Sequence, residues 1–439
     1  MKILKRLLLL LVAIILVTAV YNYPKLNIIA GYSAKSMNSS VFLAGRTMQF
    51  TDSTDNNFSP INLGSDKINV SEKTSSSSVF GLLTRNAIYR EGLGSVLIVD
   101  DYDTSRKLLI PKRTKPDNLT PFPFGNADQK DSIFTNVDYE KLNKSVNTIF
   151  SNNTQTRAVV VIHKNQIIAE KYDTGFTKSS RILGWSMTKS IMSTVFGIMQ
   201  KQGKIHVNQH VNNYDWTQDD RGSITYNNLL QMNSGLEWDE DYNSISDVSK
   251  MLFLEKDMTM IQAKKPLVGK PNETWNYSSG TSNLISRLIR SKFNSHQEYL
   301  DYWYAEFIDK IGMNSMLVET DLSGNYVGSS YAWATPRDWA KFGLLYLNKG
   351  NWNGEQLFNP SWVDYISTPT NGSDGTYGGH FWLNAKGQFP DVPKNMFYAS
   401  GYQGQFVFVF PDQDLVVVRM GLTKIDINGF LKNLLESIK

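Results

Sequence analysis

The chain has 439 residues, and 45 Lys and Arg against 41 Asp and Glu leave a formal net charge of +4, which gives no sign of nucleic-acid binding. With 41% hydrophobic, 12% aromatic and 20% charged residues, the composition excludes a disordered, collagen-like or multi-pass membrane chain. Because there is no cysteine, disulfides, thiolate nucleophiles, cysteine-based zinc sites and lipid-modified cysteines are also excluded.

The N-terminus has the pattern of an export signal. Three basic residues among the first six precede an uncharged, apolar run at 7–20. This arrangement is typical of a signal peptide, although a slightly longer run would also anchor the chain in a membrane. Residues 17–19 are the nearest candidate for a cleavage site. We expect the rest of the chain on the periplasmic or extracellular face, either released or anchored by residues 4–23.

Residues 24–130 are predicted to form an N-terminal extension of unknown role. Residues 41–43 and 95–99 are typical of short strands, whereas 75–78 is a low-complexity run of serines. The prolines within residues 111–124 exclude a helix there and predict a linker or a strap across a surface. We therefore place a domain boundary shortly after that linker.

Residues 131–439 have strand patterns at both ends and helical patterns between them. Apolar runs typical of strands come in two pairs, at 158–162 with 166–172 and at 405–411 with 415–420. Helical periodicity occurs at 139–150 and 430–438. The middle section, about 205–325, is richer in helical patterns than in strands. The order predicts one α/β domain that is interrupted by a mostly helical lobe.

The best-marked predicted helix begins at Ser186 and carries a Ser-x-x-Lys motif in its first turn. Residues at i and i+3 share a helix face, so the Lys189 amine can reach the Ser186 hydroxyl. A serine hydroxyl is a weak nucleophile until a base takes its proton. Burial and the positive end of the helix dipole both disfavour the charged form of a lysine. A capped helix start with a solvated Lys189 is the alternative.

Two later segments carry further candidate groups. Tyr277 lies among small polar residues before an apolar run, where a phenol can relay a proton; a tyrosine that only hydrogen-bonds at a helix entry is the alternative. Residues 399–405, Ala-Ser-Gly-Tyr-Gln-Gly-Gln, lead into a predicted strand. Glycines beside a strand let a substrate approach the backbone closely, and an N–H group there could complete an oxyanion hole with that of Ser186.

In this order, the three segments resemble the serine hydrolases of the penicillin-recognising superfamily, in the branch of class C β-lactamases and esterases. The resemblance covers residues 131–439. Residues 229–236 are similar to the family's "LLxHTSGL", and 334–343 to the helix before its closing sheet. Residues 235–240 and 277–280 are most similar to the 6-aminohexanoate-dimer hydrolase group.

This resemblance implies a β-lactamase/transpeptidase-like fold, a three-layer sandwich of an antiparallel sheet flanked by helices, plus a mostly helical lobe. It implies that Ser186 is the acylated nucleophile, with Lys189 and Tyr277 as its proton-transfer partners. The backbone N–H groups of Ser186 and Tyr402 would form the oxyanion hole. Further candidates for the substrate cleft are Ser279, Ser400, Gly401 and Gln403. The resemblance implies no metal and no organic cofactor.

Two residues depart from the family pattern. Ser279 stands where the family's Y-x-N motif has Asn, and Ala399 stands where its K-T-G motif has Lys. In the β-lactamases that Lys helps to hold the carboxylate of the substrate. We therefore do not expect efficient β-lactam hydrolysis, and amides, esters and short peptides stay open as substrates.

Other chemistries fit the sequence less well. His206 and His210 lack the glutamate of the zinc-protease motif H-E-x-x-H, and no G-x-S-x-G elbow surrounds Ser186. The contiguous acids at 239–241 are typical of a solvated loop. Six tryptophans are expected mainly in packing, with one or two in the cleft: Trp238, Trp275, Trp303, Trp333, Trp339 and Trp382.

The sequence thus predicts an exported serine hydrolase that cleaves an amide or ester bond of a small molecule or short peptide through an acyl-enzyme. The alternative is a non-hydrolytic, penicillin-binding-like sensor or a cell-wall binding module. A sensor would acylate and then fail to deacylate. The oligomeric state is left open.

Overall fold

The computed structural model describes residues 2–99, 102–115, 119–129, 133–151, 154–212 and 214–439. Within these ranges the α-helices are α1 (Lys2–Asn38), α2 (Met48–Ser53), α3 (Tyr139–Thr148), α4 (Met187–Lys201), α5 (Tyr226–Leu230), α6 (Asp247–Leu254), α7 (Met260–Ala263), α8 (Ser279–Arg290), α9 (His296–Trp303), α10 (Pro336–Leu347), α11 (Ser361–Ser367) and α12 (Ile427–Leu435).

The strands are β1 (Gly64–Asn69), β2 (Thr74–Val79), β3 (Leu83–Arg90), β4 (Gly94–Leu97), β5 (Thr156–His163), β6 (Gln166–Tyr172), β7 (Ile182–Leu183), β8 (Leu317–Val318), β9 (Ala332–Ala334), β10 (Asn351–Trp352), β11 (Glu355–Gln356), β12 (Trp382–Leu383), β13 (Phe397–Gly401), β14 (Gln405–Phe410) and β15 (Leu415–Gly421). Shorter 3-10 and π-helical segments are Ser39–Leu43, Ile61–Leu63, Tyr214–Gln218, Asp220–Ser223 and Tyr304–Ile308.

The chain divides into two compact units. The first comprises Met1–Ser105, Asp239–Met258 and Asp321–Ser323, and the second comprises Arg106–Trp238, Thr259–Thr320 and Gly324–Lys439. The domain boundary predicted at 130/131 lies outside the described residues, so it stays a prediction.

In the first unit, the C-terminal half of α1 packs against the antiparallel sheet β1-β2-β3-β4. The serine run at 75–78, predicted only as a polar stretch, lies within strand β2. Ser75 and Ser77 of this strand are buried, and the Ser75 hydroxyl donates to the carbonyl of Ala34 in α1 at 2.7 Å. Small side chains, of which Ser75 bonds to the helix backbone, therefore replace the apolar face that a buried strand usually has.

Three further predictions concern this part of the chain. The strand predicted at 41–43 is wrong, because these residues continue α1 as the π-helical turn Ser39–Leu43; three apolar residues carry no period that separates a strand from a helix end. The strand predicted at 95–99 is confirmed over 95–97, because β4 ends at Leu97. The described residues of the predicted linker at 111–124 form no helix, as expected, while 116–118 lie outside the described part.

No helix in the described part of the chain combines the length and the hydropathy needed to cross a membrane. The export signal, and its cleavage or retention, stay predictions.

The second unit is built on a six-stranded antiparallel sheet in the order β12-β13-β14-β15-β5-β6. Every residue of β5 and β15 is buried, because helices cover both faces of the sheet. Val159 and Val417 face α3 and α12, whereas Val416 and Val407 face α10 closely enough that a Cβ at Gly343 would collide with them. The predicted three-layer sandwich with an antiparallel sheet is confirmed.

The predicted secondary structure of this unit is largely confirmed. Both predicted strand pairs are hairpins, β5 with β6 and β14 with β15. The final helix, α12, begins at Ile427, earlier than predicted, because the side chain of Asp426 caps it by accepting from Gly429 N–H at 2.9 Å. In the described part of the middle section, 205–325, helices outnumber strands.

Candidate active site

Ser186 stands at the start of α4, directly after a tight turn. Gly184 donates its N–H to the carbonyl of Ala332 at 2.8 Å, and a Cβ on Gly184 would collide with the ring of Trp339. Trp185 has a left-handed φ of 48°. Ser186 is the N-cap residue, but its hydroxyl makes no capping hydrogen bond, which leaves that hydroxyl for another partner.

The backbone N–H of Ser186 also lies at this helix end. Within the described ranges, it donates no backbone hydrogen bond. The first N–H groups of a helix carry a partial positive charge and have no partner inside the helix. An anionic oxygen beside Ser186 would therefore be stabilised here.

Lys189 is 1% exposed, and its amine contacts three oxygens. Nζ lies 3.1 Å from Ser186 Oγ, 2.9 Å from Ser279 Oγ and 3.0 Å from the carbonyl oxygen of Ser329. A neutral amine has two N–H donors and one lone pair. It can therefore donate to Ser279 and Ser329 while it accepts the hydroxyl proton of Ser186, which is the geometry of a general base beside a nucleophile.

The second predicted segment meets this pair at the start of α8. Ser279, which stands where the family's Y-x-N motif has Asn, is fully buried. Its hydroxyl oxygen accepts from the Lys189 amine, so this position still offers an oxygen to Lys189. Tyr277 is half-buried, and the centroid of its ring lies 4.9 Å from Lys189 Nζ. The ring also packs against Trp382 at 5.3 Å and edge-on against Tyr377 at 5.7 Å between centroids.

Sequence reasoning missed Ser329, whose carbonyl oxygen is the third oxygen that the Lys189 amine contacts. Asn283 of α8 holds Ser329 in place, because the side-chain oxygen of Asn283 accepts from the N–H of Ser329 at 3.1 Å. The sequence offered one sign of this residue, a Gly-Ser-Ser run at 328–330 directly before an apolar strand. The structure buries both serines of that run.

The third predicted segment approaches the turn before Ser186. A Cβ on Gly401, the last residue of β13, would collide with the carbonyl oxygen of Gly184, so the two backbones meet as only glycine allows. Residues 402–404 form the turn into β14, and Gly404 N–H donates to the Gly401 carbonyl at 3.2 Å. The Gly401 carbonyl and the Tyr402 N–H belong to the same peptide group, and in a trans peptide these two groups point in opposite directions. Because the carbonyl points into the turn, the Tyr402 N–H points out of it.

The structure thus joins Ser186, Lys189 and Ser279 by hydrogen bonds and brings in Tyr277 through its ring. Tyr402 is 41% exposed, and its ring stands edge-on to Trp185 at 5.7 Å. Ser400 is half-buried on β13. Within the described residues, Gln403 makes no hydrogen bond to the Ser186–Lys189 pair; its carbonyl accepts from Arg419 instead.

More aromatic rings lie near Ser186 and Lys189 than the sequence predicted. Four of the six tryptophans are buried in packing, as expected: Trp238, Trp303, Trp333 and Trp339. Trp275 and Trp382 are partly exposed and join Tyr277 and Tyr377 in one ring cluster, with Trp275 5.7 Å from Tyr377. Trp185, the neighbour of the nucleophile, was not predicted to take part.

His380 links α4, which carries Ser186 and Lys189, to α8, which begins at Ser279. Its backbone carbonyl accepts from the Ser190 hydroxyl on α4 at 2.7 Å. Its ring nitrogens lie 2.9 Å from Ser282 Oγ on α8 and 2.5 Å from the carbonyl oxygen of Leu230. Burial lowers the pKa of His380 to about 3, and the hydrogen bond to the Leu230 carbonyl opposes this shift only in part. The imidazole is therefore neutral near pH 7.

His380 should make the protein sensitive to acid. An unfolded histidine titrates near 6.5, so between pH 6.5 and 3 the unfolded chain binds a proton that the folded chain does not. The free energy of unfolding should fall by up to about 1.4 kcal/mol per pH unit on that account. The test variant is His380→Asn, because asparagine tolerates the positive φ of 67° at this position. In urea melts between pH 6.5 and 5, the free energy of unfolding of this variant should depend less steeply on pH than that of the wild type, by the equivalent of about one proton.

The matched control is His206→Asn, since solvent reaches that side chain in the folded state. This variant should show the same pH dependence of the free energy of unfolding as the wild type. An equal slope in wild type and His380→Asn would contradict the assignment of a neutral, buried imidazole.

The rival chemistries gain no support. His206 and His210 are exposed, and among the residues that the structure covers no group of three or more His, Asp or Glu side chains could hold a metal ion.

Comparison with known proteins adds sequence and fold relatives. A family model described as Beta-lactamase matches residues 147–422. The 6-aminohexanoate-dimer hydrolase of Paenarthrobacter ureafaciens is 22% identical over 303 residues, 61% of this chain and 72% of that protein. A Bacillus anthracis structure described as a candidate 6-aminohexanoate-dimer hydrolase superposes with a TM-score of 0.57 at 19% identity, over 74% of this chain and 88% of that one. A family VIII carboxylesterase gives 0.52 at 14% identity, over 68% and 96%.

Proposed function

Because the chain belongs to the beta-lactamase family and is a serine hydrolase, we propose that it cleaves amide or ester bonds through a covalent acyl-enzyme on Ser186. One observation carries the proposal. The buried amine of Lys189 lies 3.1 Å from Ser186 Oγ while Ser279 and Ser329 offer acceptors for its two remaining hydrogens. A nucleophile and its base are thereby held together before any substrate arrives.

In the acylation step, the Ser186 proton moves to Lys189 as Oγ bonds to the carbonyl carbon of the substrate. The N–H groups of Ser186 and Tyr402 stabilise the resulting oxyanion. When the C–O or C–N bond breaks, the leaving group takes a proton from Lys189, with Tyr277 as the relay. In deacylation, water gives its proton to the same groups, attacks the acyl carbon and releases Ser186 and a carboxylic acid.

For the substrate, we propose uncharged or weakly charged esters and amides in preference to β-lactams. The support is Ala399, which offers no cation where the β-lactamases hold a substrate carboxylate, and the rings of Trp185, Tyr402 and Trp382 around the nucleophile. The test compares kcat/KM for a p-nitrophenyl ester, an uncharged linear amide and a penicillin. We expect the ester or the amide to exceed the penicillin by at least about tenfold, since losing one charge-assisted contact costs about 1.5–3 kcal/mol.

The same assay separates the alternative functions. A sensor would form a lasting adduct with little turnover, and a cell-wall binding module would form neither adduct nor product. A penicillin hydrolysed faster than the ester and the amide would contradict the proposed substrate class while leaving the serine mechanism intact.

We also propose that the protein is exported. The basic residues before the apolar run at 7–20 support this, as does the exposure of Leu4, Leu8 and Leu11, each more than half accessible along α1. Cell fractionation and N-terminal sequencing of the mature chain test it. A full-length chain recovered from the cytosol would contradict it.

A further inference from the structure

Arg419 is fully buried in β15, an unusual place for a charge. Among the residues that the structure describes, no carboxylate lies within ion-pair distance of its guanidinium. Burial, and then the nearby Arg157, lower the pKa of Arg419 to about 10, so it is still charged near pH 7. A buried charge without a counter-ion is costly, and an apolar residue would fill the same space at less cost. Its hydrogen bonds show what it does in the fold.

The guanidinium instead bonds to neutral oxygens from three chain segments. Nη1 donates to the carbonyls of Gln403 at 3.2 Å, Gly404 at 2.8 Å and Thr423 at 2.9 Å. Nη2 donates to the Thr154 carbonyl at 2.8 Å and the Thr156 hydroxyl at 2.9 Å. The planar fork of N–H groups in an arginine suits such an array, whereas the single ammonium of a lysine does not.

The neighbouring sequence makes room for this side chain. A Cβ on Gly404 would collide with Nη1 of Arg419, and a Cβ on Gly421 would collide with its guanidinium carbon. Gln405, also buried, donates to the carbonyl of Tyr402 at 3.1 Å and accepts from Gly421 N–H at 3.0 Å.

These contacts fix every peptide plane of the turn. The carbonyl of Gly401 accepts from Gly404 N–H, that of Tyr402 from Gln405, and those of residues 403 and 404 from Arg419. The orientation of the Tyr402 N–H follows, because it shares a rigid plane with the Gly401 carbonyl. A donor whose direction is set before substrate binds is what an oxyanion hole requires.

We propose that Arg419, assisted by Gln405, is a positioning residue that holds the 402–404 turn so that Tyr402 N–H serves as an oxyanion donor. The inference rests on the proposed function of Ser186. Arg419 touches neither the nucleophile nor its base, so its effect should be confined to the transition state rather than to substrate binding.

The test uses Arg419→Lys in the full chain, which keeps the charge and loses the fork. We expect kcat on the ester to fall on the order of 10²-fold, with KM changed less than about threefold. The inhibition constant for phenylboronic acid should rise by a similar factor. Ser186 Oγ adds to the boron, the serine proton goes to Lys189, and a tetrahedral anion results that needs the same oxyanion donors.

Two further variants make the result interpretable. Gln405→Met removes the clamp on the Tyr402 carbonyl without removing a charge, and it should give a smaller change of the same kind; it decides the matter if Arg419→Lys does not fold. Arg90→Lys is the matched control, since Arg90 is a buried arginine of the first unit that donates to the carbonyls of Gly94 and Asp321. It should lower the melting temperature and leave kcat and boronate inhibition unchanged.

Unchanged kcat and boronate affinity in a folded Arg419→Lys or Gln405→Met, with only a lower melting temperature, would overturn this inference while the Ser186 mechanism stood. A wild-type protein that neither turned over the ester nor bound the boronate would instead overturn the proposed function itself.

Discussion

Replacing Ser186 by alanine should abolish hydrolysis, lowering kcat/KM by roughly 10⁵-fold or more, because the nucleophile of the acyl-enzyme is removed. The fold should be unaffected. The Ser186 hydroxyl makes no capping bond at the start of α4, and the amine of Lys189, which loses this hydroxyl as a contact, keeps its bonds to Ser279 and Ser329. The measurement is the release of p-nitrophenol, with circular dichroism melts to verify folding.

Ser193→Ala is the matched control for this variant. Ser193 is a buried serine of the same helix whose hydroxyl donates to the Gly379 carbonyl at 2.9 Å, away from Lys189. It should retain kcat/KM within a few-fold of wild type and cost about 1 kcal/mol of stability through its lost hydrogen bond. Substantial activity in Ser186→Ala would mean that another group attacks the substrate.

Lys189→Met should lower kcat/KM by about 10³- to 10⁴-fold, since it removes the general base and leaves a side chain of similar length. The thioether cannot donate to Ser279 or to the Ser329 carbonyl, so the variant should also be less stable by about 1–3 kcal/mol. Steady-state kinetics and urea denaturation measure the two effects separately.

Lys341 offers a matched control for a buried lysine. Its side chain is fully buried in α10, and its amine donates to the Asn126 side chain at 2.6 Å and to the Gly312 carbonyl at 2.7 Å. Lys341→Met also leaves the buried Asp338 carboxylate without its ion-pair partner at 3.9 Å, so it should lose at least as much stability as Lys189→Met and keep its kcat/KM. If both lysine variants lost activity equally, or if Lys189→Met kept its activity within tenfold of wild type, Lys189 would not be the base.

Local patterns in the sequence predicted the elements that hold the nucleophile. The Ser-x-x-Lys spacing placed Ser186 and Lys189 on one face of a helix, and the apolar runs of β5, β6, β14 and β15 are confirmed as two hairpins. These features depend on neighbours within a few residues. A single chain therefore carries enough information to find them.

The rest of the site depends on contacts that span long stretches of chain. Ser329 reaches Lys189 across 140 residues, and Arg419 bonds to Thr154 across 265. No spacing rule connects such positions. The serine strand β2 was missed for the same reason, because the acceptor that lets Ser75 be buried lies in α1, 41 residues earlier.

The most direct test of the account is to find where the acyl group is attached. The protein is mixed with p-nitrophenyl acetate, quenched in acid within the first turnovers and digested with trypsin. Trypsin cuts after Arg181 and Lys189 and so releases the eight-residue peptide 182–189, in which Ser186 is the one serine. We predict an acetyl group on that residue in the wild type, transient in time, and none in Ser186→Ala. Turnover without any adduct, or an adduct on a different peptide, would contradict the mechanism.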